Sequence, residues 1–599
     1  MRSFPYVVFL VFAFAACKPQ KEKIPLADTM YNPPVKLVIY QMMVRLFGNR
    51  TSANKRYGTI AENGIGKFND IQAPALNGIR ELGVTHIWYT GILEHATLTD
   101  YTAFGIPSDD ADVVKGRAGS PYAIKDYYDV DPDLAVNVPE RMREFEALVE
   151  RTHRHGLKAI IDFVPNHVAR AYHSDAKPSG IKDLGEGDNT AVSFHPDNNY
   201  YYLPGQSFTP PYGYQSVGDL AHPTRDGRFH EMPAKATGNE EFTAAPGIHS
   251  WFETVKLNYG VDIQNNRAQH FDPIPDTWVK MRDILLFWTG KEIDGFRCDM
   301  VEMVPVEFWH WVIPQIKNVN PDLIFIAEVY NPAQYRNYIE QGKFDYLYDK
   351  VMLYDTLRLL VSGERSAAEI HNVQQNLVGI DHQMLHFLEN HDEQRIASRY
   401  FAGDPWRALP AMVISATIDR GPVMIYFGQE VGEPGSGAEG FQGDDGRTTI
   451  FDYWGVPEHQ RWMNDGKFDG GQLSDEQKQL RRFYAELLTF VSRNPAITAG
   501  QYIDLTIFNL AAGNFSHHVH AFLRFHEDER LLILNSFNAK EESAKIQIPR
   551  EAFAKMGLDI NGVYIARDMI WRETEVGFDS ELTFSLRIKP YSCYIFKIK

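Results

Sequence analysis

The sequence predicts an α/β protein: a (β/α)₈ barrel with an irregular subdomain inserted after the third strand and a C-terminal antiparallel β-sandwich domain. From about residue 36, short apolar, β-branched or aromatic runs alternate with longer amphipathic stretches. This alternation is typical of a parallel sheet covered by helices. The third and fourth runs are separated by far more chain than a usual loop. From about residue 510 the chain changes to short alternating strands without a long helix.

Eight runs fit the strands of a barrel, and several are almost continuously apolar, as expected of strands buried on both faces. The predicted strands are 35–44, 85–90, 157–164, 293–299, 323–329, 344–349, 383–390 and 423–430. Helical periodicity predicts helices at 139–156 and 275–288 between them. The barrel is therefore expected over 36–510, with the insertion at 168–260 and the β-sandwich at 511–599.

The N-terminal residues resemble an export signal. An apolar run at 4–16 follows Arg2 and ends at Cys17, and the polar stretch KPQKEK comes next. The run is too short for a bilayer span of about 20 residues, so residues 1–17 are predicted to be a signal peptide with a lipobox and 18–35 a linker. We expect an exported protein anchored by a lipidated Cys17 to a bacterial membrane, periplasmic or surface-facing. A plain signal peptide is the alternative.

The composition of the chain limits the classes of ligand and partner that are expected. The formal charge is -18, and no block of Lys and Arg provides the basic surface that a phosphate backbone requires. Nucleic acid is therefore not an expected partner, whereas a neutral ligand is compatible with this charge. Beyond Cys17, only Cys298 and Cys593 remain, and their expected places in different domains argue against a disulfide. The composition does not indicate an oligomeric state.

Polar residues close several of the apolar runs. In a barrel, side chains at the C-terminal ends of the strands face one pocket, so these residues are expected to converge. They are Asp162 and His167 after the third run, Arg297 and Asp299 in the fourth, Glu328 in the fifth, and His391 and Asp392 after the seventh. Each has an ordinary structural explanation when taken singly, such as a loop cap or an ion pair. Their occurrence together favours a catalytic site.

The types of residue fit glycoside chemistry. The i, i+2 spacing places Arg297 and Asp299 on one face of a strand, where the guanidinium holds the carboxylate ionised, as a nucleophile requires. Glu328 is crowded by other carboxylates, which raises its pKa as a proton donor requires. A retaining glycosidase needs two carboxyl groups about 5–5.5 Å apart, and neighbouring strands about 4.8 Å apart provide that spacing.

Five motifs resemble the ordered sequence regions of the α-amylase family. They are DFVPNH (162–167), VKLN (255–258), GFRCDM (295–300), IAEV (326–329) and FLENHD (387–392). The resemblance extends from about residue 36 to the C-terminus. It implies the barrel, the insertion and the C-terminal β-domain.

The resemblance also implies roles for individual residues. Asp299 matches the nucleophile, Glu328 the acid/base and Asp392 the third carboxylate that grips the sugar hydroxyls. The implied substrate-binding residues are Tyr122, His167, Arg297 and His391.

No cofactor is implied with certainty. Family members with the common structural calcium use an asparagine, here Asn166, and a histidine where this chain has Met303, whose thioether is a poor ligand for a hard cation. That calcium site is therefore not expected. A second possible oxygen set is Asn49, Asn54, Asn63 and Asp70, although such residues usually make turns.

We therefore expect a retaining hydrolase of α-1,4-glucosidic bonds in starch-like glucans or maltooligosaccharides. A transglycosylase or α-glucosidase with the same machinery is the alternative among enzymes. A non-catalytic glucan-binding lipoprotein is the alternative from another class, but such a protein is expected to lack a carboxylate, and all three are present.

Overall fold

The computed structural model describes Met1 and residues 35–599, except 219 and 580. The predicted signal peptide with Cys17 and nearly all of the predicted linker lie outside the described residues. Within the described part of the chain, no helix combines the length and the apolar character needed to cross a bilayer.

Eight parallel strands form the barrel, and every one of the eight predicted runs contains one of them. The strands are β1 Val38–Met43, β2 His86–Thr90, β3 Lys158–Phe163, β4 Gly295–Cys298, β5 Ile324–Ala327, β6 Tyr346–Tyr348, β7 Met384–Leu385 and β8 Val423–Tyr426. The strands lie around the sheet in the order in which they occur in the chain, and β8 pairs with β1. A parallel bridge between His386 and Val423 joins β7 to β8 and closes the ring.

Helices follow the strands as the prediction requires. The helices around the barrel include Ala73–Arg80, Arg141–Arg154, Asp276–Thr289, Val306–Val319, Tyr335–Glu340, Asp355–Val361, Glu369–Leu377, Leu409–Thr417 and Asp475–Arg493. The helices predicted at 139–156 and 275–288 are confirmed. The buried faces of both helices contain the apolar residues whose spacing predicted them.

The barrel interior is packed with large apolar side chains. Ile39, Trp88, Ile160, Ile326 and Met424, each from a different strand, belong to one buried cluster. Their side chains fill the barrel below its C-terminal rim, so the interior is a core and not a channel. Polar groups at the rim therefore lie on a rigid floor.

The segment between β3 and helix Asp276–Thr289 has little regular structure. Its short strands pair antiparallel as 167–169 with 254–256, 202–203 with 234–235, and 261–262 with 268–269. The first pair ties the two ends of the insertion together beside the C-terminal end of β3. The hairpin of 261–262 and 268–269 lies after residue 260, so the irregular segment continues beyond the predicted end of the insertion.

The C-terminal region consists of two antiparallel sheets. The strands of the larger sheet lie in the order Gln501–Asp504, Val519–His526, Glu529–Ser536, Cys593–Ile598, Ile565–Asp568 and Glu575–Gly577. Strands Glu542–Gln547 and Thr583–Ile588 form the smaller sheet. Apolar side chains from both sheets share one buried cluster, as in a β-sandwich. The first strand of the larger sheet, Gln501–Asp504, lies before residue 511, so the C-terminal sheet begins earlier in the chain than predicted. Cys298 and Cys593 are buried and free.

Candidate active site

The register of β3, β4 and β5 brings the first acidic residues together. Arg297 in β4 is directly opposite Asp162 in β3. The main-chain pairing continues past the strand ends, because Asp299 N donates to Phe163 O at 2.9 Å and Glu328 N donates to Cys298 O at 3.1 Å. Asp299 and Glu328 therefore leave adjacent strands at the same level of the barrel rim.

One guanidinium joins these carboxylates. Arg297 is fully buried, and its Nη1 lies 2.7 Å from Asp299 Oδ1 while its Nη2 lies 2.7 Å from Glu328 Oε1. Asp162 Oδ1 lies 3.5 Å from Nη1. The Nε atom donates to the hydroxyl of Tyr348 at 3.2 Å. The planar fork of arginine is suited to holding two carboxylates in fixed positions at once.

This arrangement limits the separation of the two central carboxyl groups. Two ion-pair contacts of 2.7 Å to one guanidinium place Asp299 Oδ1 and Glu328 Oε1 at most about 8 Å apart. A separation of roughly 10 Å or more would exclude attack and proton donation at one glycosidic bond. The two groups therefore meet the minimum geometric requirement for acting on one bond.

Burial dominates the ionisation of both groups. It raises the pKa of Asp299, and the adjacent Arg297 only partly opposes this increase. Arg297 lowers the pKa of Asp299, in the predicted direction, but burial raises it by more. Burial also raises the pKa of Glu328; Arg297 lowers it, and the Asp299 charge raises it further. The raised pKa of Glu328 agrees with the prediction, but burial contributes more to the increase than the neighbouring carboxylates do.

The backbone after β4 supplies a further contact to Glu328. Met300 has a left-handed conformation with φ of 45°, which is uncommon for a residue with a side chain. In this conformation its amide donates to Glu328 Oε2 at 2.8 Å. The hydroxyl of Tyr330 donates to the other oxygen, Oε1, at 2.8 Å. Both oxygens of Glu328 are therefore oriented before a substrate arrives.

His391 connects the strands on the opposite side of the rim. Gln41 Nε2 donates to His391 Nδ1 at 2.8 Å, so the ring proton lies on Nε2. That nitrogen is 2.5 Å from the Tyr122 hydroxyl and 3.1 Å from Asp392 Oδ2. Burial, with a smaller effect of Arg297, lowers the pKa of His391 well below its usual value, so the ring is neutral. Burial and the charges of Glu328 and Asp299 raise the pKa of Asp392.

These groups border one cavity of about 280 Å³. All three predicted carboxylates line it together with Tyr122 and His167. Arg297 and His391 lie directly behind this surface. The structure therefore brings every sequence-predicted site residue to one place. Burial lowers the pKa of His167 to about 3, so this imidazole is also neutral.

The insertion completes the wall of the cavity. Trp251 lies beside His167, with ring centroids 5.3 Å apart. Glu253 pairs with Lys115, from the segment between β2 and β3, at 2.6 Å. Phe451, which follows β8, also lines the cavity. None of these residues closes a predicted strand, so sequence reasoning did not identify them. Gln41 and Tyr348 were also missed; Tyr348 ends β6 and the same criterion would have found it, whereas Gln41 lies within β1.

The place expected for the family calcium contains an ammonium group. Lys256, only 2% exposed, donates from Nζ to Asn166 Oδ1 and to the main-chain oxygen of Met303, the latter at 2.7 Å. Glu240 lies 3.1 Å from the same nitrogen. A cation of this chain thus already binds the oxygens that a calcium ion would need. The residues do not fit a calcium ion at this position.

The second oxygen set is used by the backbone. Asn49 Oδ1 accepts from Thr51 N, and Asn63 Oδ1 accepts from Lys55 N. Asn54 forms two hydrogen bonds with the backbone of Gly455, and Asp70 Oδ2 accepts from Lys67 N at 2.7 Å. These contacts hold the segment after β1 in place, as expected of turn-forming residues.

The chain is similar in sequence and in fold to known proteins. A family model described as "Alpha amylase, catalytic domain" matches residues 54–468. An α-amylase from Dictyoglomus thermophilum is 22% identical, with 86% of this chain and 87% of that protein covered. A neopullulanase from Thermoactinomyces vulgaris is 21% identical, covering 87% of this chain and 72% of that protein. The structure of a maltogenic α-amylase from Thermotoga neapolitana superposes with a TM-score of 0.59 at 18% identity, covering 94% of this chain and 98% of the other.

Proposed function

Because the chain belongs to the α-amylase family, we propose that it is a retaining glycoside hydrolase that cleaves α-1,4-glucosidic bonds in starch-like glucans or maltooligosaccharides. The observation that carries this proposal is the pair of 2.7 Å contacts by which Arg297 holds Asp299 and Glu328 together at the cavity. Two carboxyl groups held by one guanidinium can both reach one glycosidic bond, and in double displacement they lie about 5–5.5 Å apart.

The proposed reaction has two steps. Asp299 attacks the anomeric carbon while Glu328 gives its proton to the leaving glycosidic oxygen, so one C–O bond forms as the other breaks. Glu328 then takes a proton from water, which attacks the same carbon and releases Asp299. The raised pKa of Glu328 favours the protonated form that the first step needs.

The remaining residues of the cavity are assigned to substrate binding. We place Asp392, His167 and His391 on the hydroxyl groups of the sugar that is attacked. The neutral imidazoles offer hydrogen bonds without adding positive charge beside the nucleophile. Tyr122 provides an aromatic surface for the apolar face of that sugar ring.

A transglycosylase or an α-glucosidase is the second candidate. Lys115 and Glu253 form an ion pair in the wall of the cavity of about 280 Å³ that the catalytic carboxylates border. Water and a sugar hydroxyl compete for the same covalent intermediate, so transfer uses the same residues. Product analysis distinguishes the three activities.

The experiment is a time course of products from maltoheptaose. Internal hydrolysis gives a mixture of shorter maltooligosaccharides from the first turnovers, transfer gives chains longer than the substrate, and exo-action by a glucosidase first gives glucose and maltohexaose in equal amounts. Asp299→Asn is expected to lower turnover at least about 10³-fold, whereas Asp322→Asn, at an exposed aspartate before β5, should not change it. Binding of maltoheptaose without any turnover would identify a glucan-binding protein and overturn the proposal.

We also propose export with a lipid anchor at Cys17, a proposal that rests on the sequence alone. Membrane fractionation after metabolic labelling with palmitate tests it. Wild type is expected in the labelled membrane fraction and Cys17→Ser is not. Equal labelling of both would contradict the proposal.

A further inference from the structure

A second cavity, of about 530 Å³, lies between the barrel and the C-terminal domain. The segment 404–409 of the barrel forms one wall, and the segments 571–574 and 587–594 of the β-sandwich form the others. Among the residues that the structure describes, none lines both this cavity and the catalytic one. Its volume is within the range of roughly 300–1,000 Å³ that is usual for small-molecule sites.

The cavity contains an aromatic ring that is fixed in position. Trp571 stacks on Phe483, with ring centroids 5.4 Å apart and an interplanar angle of 21°. Its Nε1 donates to the main-chain oxygen of Cys593 at 2.8 Å. Although Phe483 covers one face, Trp571 remains 37% exposed, so the exposed area belongs to the rest of the ring. An indole held in this way loses no further rotamer freedom when a ligand stacks on it.

A second ring comes from a strained turn. Tyr591 lies between strands Thr583–Ile588 and Cys593–Ile598 and has φ of 45°, in the left-handed region. A residue with a side chain costs of order 1–2 kcal/mol there. The guanidinium of Arg407 lies 5.4 Å from the centroid of the Tyr591 ring. This strained turn thus places an aromatic side chain in the cavity beside a hydrogen-bond donor.

The polar groups around these rings carry mixed charge. Asp404 and Glu573 supply carboxylates, and Arg407, Arg587 and Lys589 supply donors. Glu573 and Lys589 are 3.6 Å apart and mostly exposed, so they partly neutralise each other. This combination provides both donors and acceptors but no strong field of one sign. It fits a neutral ligand with many hydroxyl groups better than a phosphate or an organic cation.

We propose that this cavity is a second α-glucan-binding site, separate from the catalytic carboxylates. Pyranose rings have an apolar face of C–H groups and a rim of hydroxyls, which match the stacked indole and the mixed polar groups. The loop after β7, which contains His391 and Asp392, leads into the 404–409 wall of this cavity. The site is therefore built on the same loop of the barrel as the catalytic residues. The choice of an α-glucan rests on the proposed function, whereas the site itself does not.

The test compares binding to insoluble starch with turnover of soluble maltotriose, using the full chain. Trp571→Ala removes the stacking surface. Tyr591→Asn removes the second ring, and asparagine tolerates the left-handed backbone, so this variant keeps the turn. Tyr212→Asn, at a fully exposed tyrosine in the insertion, is the matched control.

Each cavity variant is expected to lower the starch-bound fraction at least about fivefold and to change maltotriose turnover less than twofold. The control should change neither. If Trp571→Ala does not fold because its contact with Phe483 is lost, Tyr591→Asn decides the question.

Starch binding by both variants equal to wild type would overturn the proposal. A wild type that hydrolyses maltotriose but binds no starch would also overturn it and leave the catalytic function standing. Starch binding that depends on Trp571 without any turnover would support this site and contradict the catalytic function.

Discussion

Arg297 Nη2 lies 2.7 Å from Glu328 Oε1 in the interior of the barrel rim. The same guanidinium holds Asp299, so one fully buried side chain fixes both proposed catalytic carboxyl groups. Lysine keeps the charge but cannot bind two carboxylates in one plane. We predict that Arg297→Lys lowers kcat/KM for maltoheptaose at least about 100-fold and also lowers Tm. Activity within tenfold of wild type would show that the fork geometry is unimportant.

Tyr330→Phe tests the orientation of the proposed acid. The Tyr330 hydroxyl donates to Glu328 Oε1 at 2.8 Å and thereby lowers the pKa of Glu328. Because removal of this bond leaves the carboxylate less stabilised, the pKa should rise and Glu328 should stay protonated to higher pH. The basic limb of the pH profile of kcat/KM is therefore expected to move upward, with a loss of roughly tenfold or less at the optimum. An unchanged or lowered basic limb would contradict the role of Glu328 as acid.

His386→Gln tests the ion cluster where β7 meets β8. Burial lowers the pKa of His386, but Asp419 at 2.8 Å and Asp349 at 3.2 Å outweigh it and raise the value from 6.5 to about 9. A histidine whose pKa is raised in the folded state adds to the free energy of unfolding. This contribution is complete below about pH 6.5 and is lost as the pH rises through about 9. We predict that wild type loses up to about 3 kcal/mol of unfolding free energy over this interval relative to the variant. Denaturant unfolding at several pH values measures the difference; parallel curves would contradict it.

Lys256→Asp tests the replacement of a calcium ion by an ammonium group. The substitution removes the cation and adds a carboxylate beside Asn166, the main-chain oxygen of Met303 and Glu240, which together form an oxygen set suited to calcium. We predict that Tm of the variant rises on addition of calcium, whereas Tm of wild type does not change at this site. Lys256→Met, which adds no oxygen, is the control and should be destabilised by about 3–5 kcal/mol with or without calcium. Equal responses of both variants would refute the replacement.

The barrel could be predicted from the sequence because its strands are nearly continuous apolar runs that end in polar residues. The same rule located Asp299 and Glu328, since the ends of parallel strands meet at one rim. It could not locate Trp251 or Lys115, which reach the cavity from irregular segments whose paths depend on long-range packing.

The role of Lys256 was also hidden from sequence reasoning. VKLN was assigned to a sequence region as a whole, and only the structure places the Lys256 ammonium against Met303 O. The thioether of Met303 is the reason why calcium is not expected there. In the structure, however, the atom of Met303 that contacts the Lys256 ammonium is its backbone oxygen. Strand periodicity carries no information about such a contact between the insertion and the loop after β4.

The covalent intermediate at Asp299 is the central claim, and peptide mass spectrometry tests it most directly. In Glu328→Gln the step that activates water is lost, whereas α-maltosyl fluoride needs no proton for its leaving group, so the glycosyl-enzyme should accumulate. We predict a maltosyl adduct on the peptide that contains Asp299, and none when Asp299→Asn is added to Glu328→Gln. An adduct on another carboxylate, or fluoride release without any adduct, would contradict the account.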